Sequence, residues 1–304
     1  MTSLADAEGD GPSQAGAPAE PRRRPSKTPM FTARNAARYE RQELMRTINA
    51  TENTDLVCYI GGVDTQIARD DLLGFVDMLH NIESGRPVDL MLHTCGGDVD
   101  ACEKLVTLLH VKVGESPLRV IVPDMAKSAG TLMALGANAI LMSDTSELGM
   151  IDPQFPMRDR QGNEIWHSVT AYLEAYDEHA AALRANPKDP IPMLMLDSFD
   201  PKVVRKFQGI VSRVRTFAED QLKRQGLPAS AISAELLSSS RWKTHGQPIR
   251  HADATQLGLP VVYLPDDDSR WARYWRLYCL QRLEIGEGGK IYESSFVSQV
   301  IGEA

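Results

Sequence analysis

The chain has 304 residues, 42% of them hydrophobic, with 33 Lys plus Arg against 41 Asp plus Glu and a net charge of −8. That is enough apolar material for one large domain or two small ones. The acidic balance argues against a general nucleic-acid binder, which needs a basic surface to neutralise phosphates. Four scattered cysteines with no CxxC pair argue against a disulfide framework or a zinc site and fit a reducing cytoplasm.

Residues 1–29 are rich in Pro, Ala, Gly and Ser and read as a disordered tail; the "RRRPSK" run within them reads as solvated. The start lacks the apolar h-region of a signal peptide, and no window reaches the ~18 apolar residues of a membrane span. From Met30 the texture changes. "TARNAARYERQELMRTINA" reads as a polar helix, and 55–62 as a strand ending in glycines. An amphipathic helix over 70–82 follows, then a strand at 88–94, a helix over 100–113, a strand at 118–124, a short helix in "SAGTLMALGA" and a strand at 139–143. Near-continuous apolar strands alternating with helices predict an α/β fold with a parallel sheet covered on both faces.

Residues 155–200 read as an arm or insertion: a hairpin around Gln161-Gly162-Asn163, a helix, and a Pro-broken connection. One long amphipathic helix spans 201–226, and a turn, a short helix and a last strand follow. The stretch 265–304 reads as a C-terminal tail. It holds Trp271, Trp275, Tyr278, Tyr292, Phe296 and Val300, too much apolar surface to leave bare on a monomer. It is therefore expected to pack on a neighbouring subunit or to roof the cleft.

In an open parallel sheet, ligands bind beyond the carboxyl ends of the strands. Two features lie there. "HTCGGD" (93–98) pairs glycines at a strand-to-helix junction, where backbone N–H groups are free to face a ligand; a plain tight turn is the structural alternative. Ser128, after the third strand, opens a helix. A serine there can be a simple N-cap, but the small residues of "KSAGTLMALGA" allow close approach, and the N–H of Ala129 can join that of Gly97 as an oxyanion hole.

The stretch "HTCGGDVDACEKLVTLL…VIVPDMAKSAGTLMALGANAILMSDTSELGMIDPQ" resembles the serine dehydrogenase proteinase family, distant relatives of the Clp protease proteolytic subunit and of signal peptide peptidase A. The likeness runs from about Val57 to Leu264. It implies a Clp/crotonase-type β–β–α superhelix over 30–264 and a Ser–Asp–His triad. On that resemblance Ser128 matches the nucleophile and Asp152, in "GMIDPQ", matches the acid. His245 matches the base through "RWKTHGQPI", where an extra lysine separates Trp242 from Thr244. Cys95 stands where the family commonly has proline, which places a thiol beside the glycines and suggests oxidative sensitivity.

The chemistry is self-consistent: a serine hydroxyl needs a base within reach, and a carboxylate fixes the histidine tautomer. His251, at the start of the last helix, is the second choice of base. A Ser–Lys dyad of the signal-peptidase type is the sharper rival, and Lys188 is its candidate; Lys127 is discounted because neighbouring side chains on such a turn diverge. A crotonase-like acyl-CoA enzyme and a non-catalytic peptide-binding scaffold are the remaining alternatives. The expectation is a cytoplasmic homo-oligomeric peptidase acting on peptides or unfolded protein, with no metal, organic cofactor, nucleic acid or membrane required.

Overall fold

The computed structural model describes residues 27–158 and 161–302; all but the last residues of the expected N-terminal tail lie outside them. Two compact units divide the chain after Ala36. In the first, a short helix α1 (Pro29–Arg34) starts at Thr28, whose hydroxyl accepts from the N–H of Phe31. The polar stretch expected as one helix is thus two, since α2 (Ala36–Glu52) is separate.

In the second unit the elements run β1 (Asp55–Gly61), α3 (Asp71–His80), β2 (Val88–His93), α4 (Val99–Val113), β3 (Leu118–Val122), β4 (Met125–Ala126), α5 (Ala129–Leu135), β5 (Ala139–Met142) and β6 (Glu147–Leu148). Next come β7 (Gln154–Arg158), β8 (Glu164–Ser168), α6 (Val169–Ala185), α7 (Pro190–Asp197), α8 (Pro201–Arg224) and α9 (Ala229–Leu237). The chain closes with β9 (Ile249–Arg250), α10 (His251–Gln256), β10 (Val261–Tyr263), α11 (Ser269–Glu284), β11 (Lys290–Ser294) and β12 (Ser298–Ile301).

The main sheet has the order β10-β5-β3-β2-β1-β11-β12, parallel from β10 to β1 and antiparallel beyond. A small sheet, β4-β6-β9, and the bridges Ile67–Gly97 and Thr94–Ala126 form a second layer past the carboxyl ends of the main strands. A main strand, a step into this layer, then a helix is the repeating unit of the Clp/crotonase-type β–β–α superhelix. Side chains alternate across β1: Val57 and Tyr59 face the core under α3 and α4, while Leu56, Cys58 and Ile60 face the core under α2 and α11. Both faces are therefore covered, which is why the strands read as unbroken apolar runs.

The 155–200 segment has the expected hairpin and helix, but the connection expected to be Pro-broken forms α7, with Asp189 as its cap and Pro190 in the first turn, where a missing N–H costs nothing. β7 pairs with β8 antiparallel, and Gly162 takes a φ of +87° in the turn. Residues 265–304, expected as a tail outside the domain, are instead part of it. β11 pairs with β1 in register Val57 to Ser294, and Trp271, Tyr274, Tyr278 and Tyr292 are buried within their own chain. Two features make this possible. Gly74 on α3 leaves room for the Tyr292 ring, since a Cβ there would lie 2.5 Å from its Cγ. The buried Glu293 is paired by Arg41 at 3.0 Å and by Gln281 at 3.0 Å.

A chain ending at Asp268 should fail to fold. It loses four buried aromatics, each worth roughly 3–5 kcal/mol, against a total stability of about 5–15 kcal/mol. Insolubility, or a circular dichroism spectrum without a cooperative melt, is the expected result.

Candidate active site

The glycine loop follows β2. Gly96 has φ +105° and Gly97 +142°, a region that favours glycine. Space demands glycine as well: a Cβ on Gly96 would lie 2.8 Å from the Ser128 Cβ, and one on Gly97 2.4 Å from the Ile67 carbonyl oxygen. Ile67 donates to Gly96 O at 2.7 Å and accepts from Asp98 N at 2.9 Å, so the loop is clamped on both sides of Gly97. The Gly97 N–H has no hydrogen-bond partner among the described residues, and Gly97 borders a cavity.

Ser128 sits between β4 and α5 with φ +50° and ψ −113°. A non-glycine residue there is strained by about 1–3 kcal/mol, strain that persists only where the surroundings enforce it. Its hydroxyl makes no capping bond to α5, which removes the N-cap reading. The neighbouring fixings are dense. Gly130 donates to Lys127 O at 2.7 Å, and Thr131 Oγ1 lies 2.8 Å from Ala126 O and 2.9 Å from Gly149 O while accepting from Gly149 N at 3.0 Å. The N–H of Ala129, like that of Gly97, has no hydrogen-bond partner among the described residues.

Thr131 thereby fixes the segment that leads to Asp152. Asp152 is fully buried, and its Oδ1 lies 2.5 Å from His245 Nδ1. Its Oδ2 accepts from the Gln154 amide at 2.8 Å. A carboxylate beside Nδ1 favours the tautomer with its N–H on that nitrogen, and the Gln154 amide lies 3.2 Å from the same atom. His245 is carried by a loop that Trp242 anchors: its ring is buried and its Nε1 donates to Glu235 O at 2.9 Å. The extra Lys243 is exposed and turns away, so it does not disturb the approach of His245 to Asp152.

Ser128, His245 and Gly97 line one cavity of about 450 Å³, with Cys95, Gln154 and Trp166 among its other walls. Gln154 and Trp166 carried no catalytic motif; their place follows from the β7–β8 hairpin springing directly from the Asp152 segment. The alternative bases lie elsewhere. Lys188 is exposed in the turn between α6 and α7. His251 stacks on Tyr263 with ring centroids 4.2 Å apart and lies 3.4 Å from Asp144, outside the cavity lining. Lys127 turns away from the cavity as expected. Its Nζ is 2.7 Å from Glu147, 3.2 Å from Leu148 O and 3.4 Å from Gly246 O, tying β6 to the loop that bears His245. His93 is buried behind the loop, between Gly61 O and Asp124; its contact is the chief reason the Asp124 carboxyl is held below the usual carboxylate range.

The model of a family described as ClpP-like SDH-type serine proteinase matches residues 31–267, well over half the chain. The chain belongs to that family. Among curated proteins it is 30% identical over 177 residues to Uncharacterized protein MJ0137 of Methanocaldococcus jannaschii, a match covering 58% of this chain and 54% of the relative. It is 26% identical over 224 residues to Uncharacterized protein MJ1495 of the same organism, covering 73% of this chain and 68% of the relative. The chain thus spans little more than half the length of the first. Among solved structures, a serine-to-alanine mutant of 1510-N membrane-bound stomatin-specific protease is similar at 18% identity and TM-score 0.43, over 68% of this chain and 79% of that one. A lysine-to-alanine mutant of that protease in complex with a substrate peptide is similar at 18% identity and TM-score 0.41, over 66% and 72%. Among the described residues no helix is long and apolar enough to cross a membrane, and no group of three or more His, Cys, Asp or Glu could hold a metal.

Cys95, the thiol that the sequence places beside the glycines, lines the cavity. Burial, then the Asp64 charge, push its thiol above the usual range, and its Sγ–H donates to Val63 O at 3.2 Å. It should therefore stay protonated at neutral pH and react with iodoacetamide only as the pH rises beyond the ordinary thiol range of about 8.5. Peptide mass spectrometry of labelling against pH checks this; rapid labelling at pH 7 would contradict it.

Proposed function

We propose that the chain hydrolyses peptide bonds through Ser128, His245 and Asp152, with the N–H groups of Gly97 and Ala129 as the oxyanion hole. The observation that carries this reading is the 2.5 Å contact of His245 Nδ1 with the fully buried Asp152, on the wall of the cavity that also holds Ser128. In this reading His245 Nε2 takes the hydroxyl proton as Ser128 attacks the carbonyl carbon. The developing oxyanion is met by two backbone N–H groups that are already oriented, so no reorganisation is needed as charge forms. His245 then protonates the leaving amine, and water repeats the sequence to free the acyl group. Asp152, held by the Gln154 amide, keeps the imidazole in the right tautomer and stabilises its cation.

The exposed position of Lys188 weighs against the dyad, and the strained Ser128 weighs against a crotonase-type enzyme, which needs no nucleophilic serine. The substrate class is peptide or unfolded polypeptide, acted on without a metal or organic cofactor, by a homo-oligomer in the cytoplasm. An exposed apolar run on α7, with Ile191, Met193 and Leu194, supports the oligomer.

Ser128→Ala should lose roughly 10³-fold or more in kcat and lose labelling by a fluorophosphonate probe, with an unchanged melt. His245→Ala and Asp152→Asn should each fall by a similar order, and the double variant by little more than one, because the residues act as a unit. Lys188→Ala and His251→Ala should retain activity; loss in Lys188→Ala with full activity in His245→Ala would overturn the triad in favour of the dyad. Gly97→Ala should lower kcat about 10²-fold by displacing one oxyanion donor, as measured by casein or peptide turnover.

A further inference from the structure

We infer that a second cavity, walled by one face of α8, is a subsite that takes a large apolar side chain of the peptide next to the scissile bond; the inference rests on the peptidase reading above. This cavity, of about 380 Å³, shares Val99 and Pro153 with the cavity that holds Ser128. Pro153 follows Asp152 directly, and Val99 opens the helix after the glycine loop, so the common wall is the rim of the reacting centre. A peptide lying over Ser128 has a neighbouring side chain close to this opening.

Lys206, Gly209, Ile210 and Arg213 border the far wall, spaced as one stripe of a helix. The charges there are already engaged. Arg213 pairs with Asp100 at 3.3 Å and with Glu103, and the Lys206 ammonium lies 4.7 Å from the centre of the Phe155 ring. Asp98 and Asp100, also on the rim, are paired with Arg69 at 3.6 and 3.5 Å, so the unpaired part of the wall is hydrocarbon from Val99, Pro153, Ile210 and Val214, which favours an apolar group.

Gly209 is the second observation. It lies within the 24-residue α8, where glycine is disfavoured. Its φ is not positive, and a Cβ there would meet nothing within 4 Å. Neither backbone conformation nor packing requires glycine, and its effect is to keep the cavity wall flat and the volume open. A longer side chain at 209 would occupy the space assigned to the substrate.

The test uses pairs of internally quenched peptides that differ only by Leu or Phe against Ala at each position flanking the cleaved bond. Wild type should favour the large residue at one position. Gly209→Leu should lower that large-to-small ratio of kcat/KM roughly tenfold or more, the scale on which apolar pockets discriminate. Gly209→Ala, which favours the helix and adds one methyl group, should shift the ratio in the same direction by about two- to threefold and melt no lower than wild type. A ratio that is equal in all three proteins overturns the subsite. Hydrolysis of a small p-nitrophenyl ester, measured in wild type and Ser128→Ala, separates the two readings. Ser128-dependent ester hydrolysis with an unchanged side-chain ratio overturns the subsite alone. Ester and peptide turnover that ignore Ser128→Ala overturn the peptidase reading and the subsite with it.

Discussion

One buried carboxylate holds the parts of this structure in register. Asp71, at the start of α3, accepts from the Tyr59 hydroxyl of β1 at 2.6 Å, from the Tyr292 hydroxyl and the Lys290 ammonium of β11 at 2.6 Å each, and from the Ala68 N–H at 2.9 Å. Lys290 also donates to Gln66 O at 2.6 Å. The loop so fixed carries Ile67, which clamps Gly97. Without that carboxylate two phenols lose their acceptor, at about 1–3 kcal/mol for each unsatisfied group, and the Lys290 ammonium loses its counter-charge and keeps only Gln66 O. The geometry of a backbone donor at the cavity is thus set by a strand more than 190 positions later in the chain.

Ser128, Asp152 and His245 lie on coil segments, each pinned to a rigid element by neighbouring hydrogen bonds. Thr131 ties α5 to Gly149, the Ile151 N–H donates to Leu236 O of α9 at 3.0 Å, and Trp242 seats the loop of His245. Lys127 closes the set by bridging β6 to Gly246. Such cross-bracing holds Ser128 and His245 to the walls of one cavity and Asp152 beside His245, although no secondary structure carries all three.

The sequence was most legible where the constraint is local. Continuous apolar strands announced a sheet covered on both faces, and the small residues around Ser128 and the paired glycines marked the two turns that border the cavity. It was least legible where a residue's partner is remote. "KIYESSFVSQVI" carries Lys290 and Glu293 at positions that proved inward-facing, which broke the strand pattern; each is satisfied by a group far away in sequence, Asp71 and Arg41. Gly74 gave no sign that it was shaped for the Tyr292 ring. His245 and His251 stand six residues apart, and only the path of the loop from the buried Trp242 separates the one beside Asp152 from the one stacked on Tyr263.

The long reach of these pairings has a consequence for how the molecule is made. β1 lies between β2 and β11, and Arg41 meets Glu293 across 252 positions. As the chain emerges from a ribosome, β1 can join β2 early, but its other edge, including Cys58 and Ile60, must wait until residues 290–294 have been synthesised. Non-local strand pairing of this kind slows folding, and an open apolar edge is a site for association in the meantime. Nascent chains of this protein are therefore vulnerable at that edge while the residues between β1 and β11 are being made, a window in which chaperone occupancy rather than native packing governs their fate.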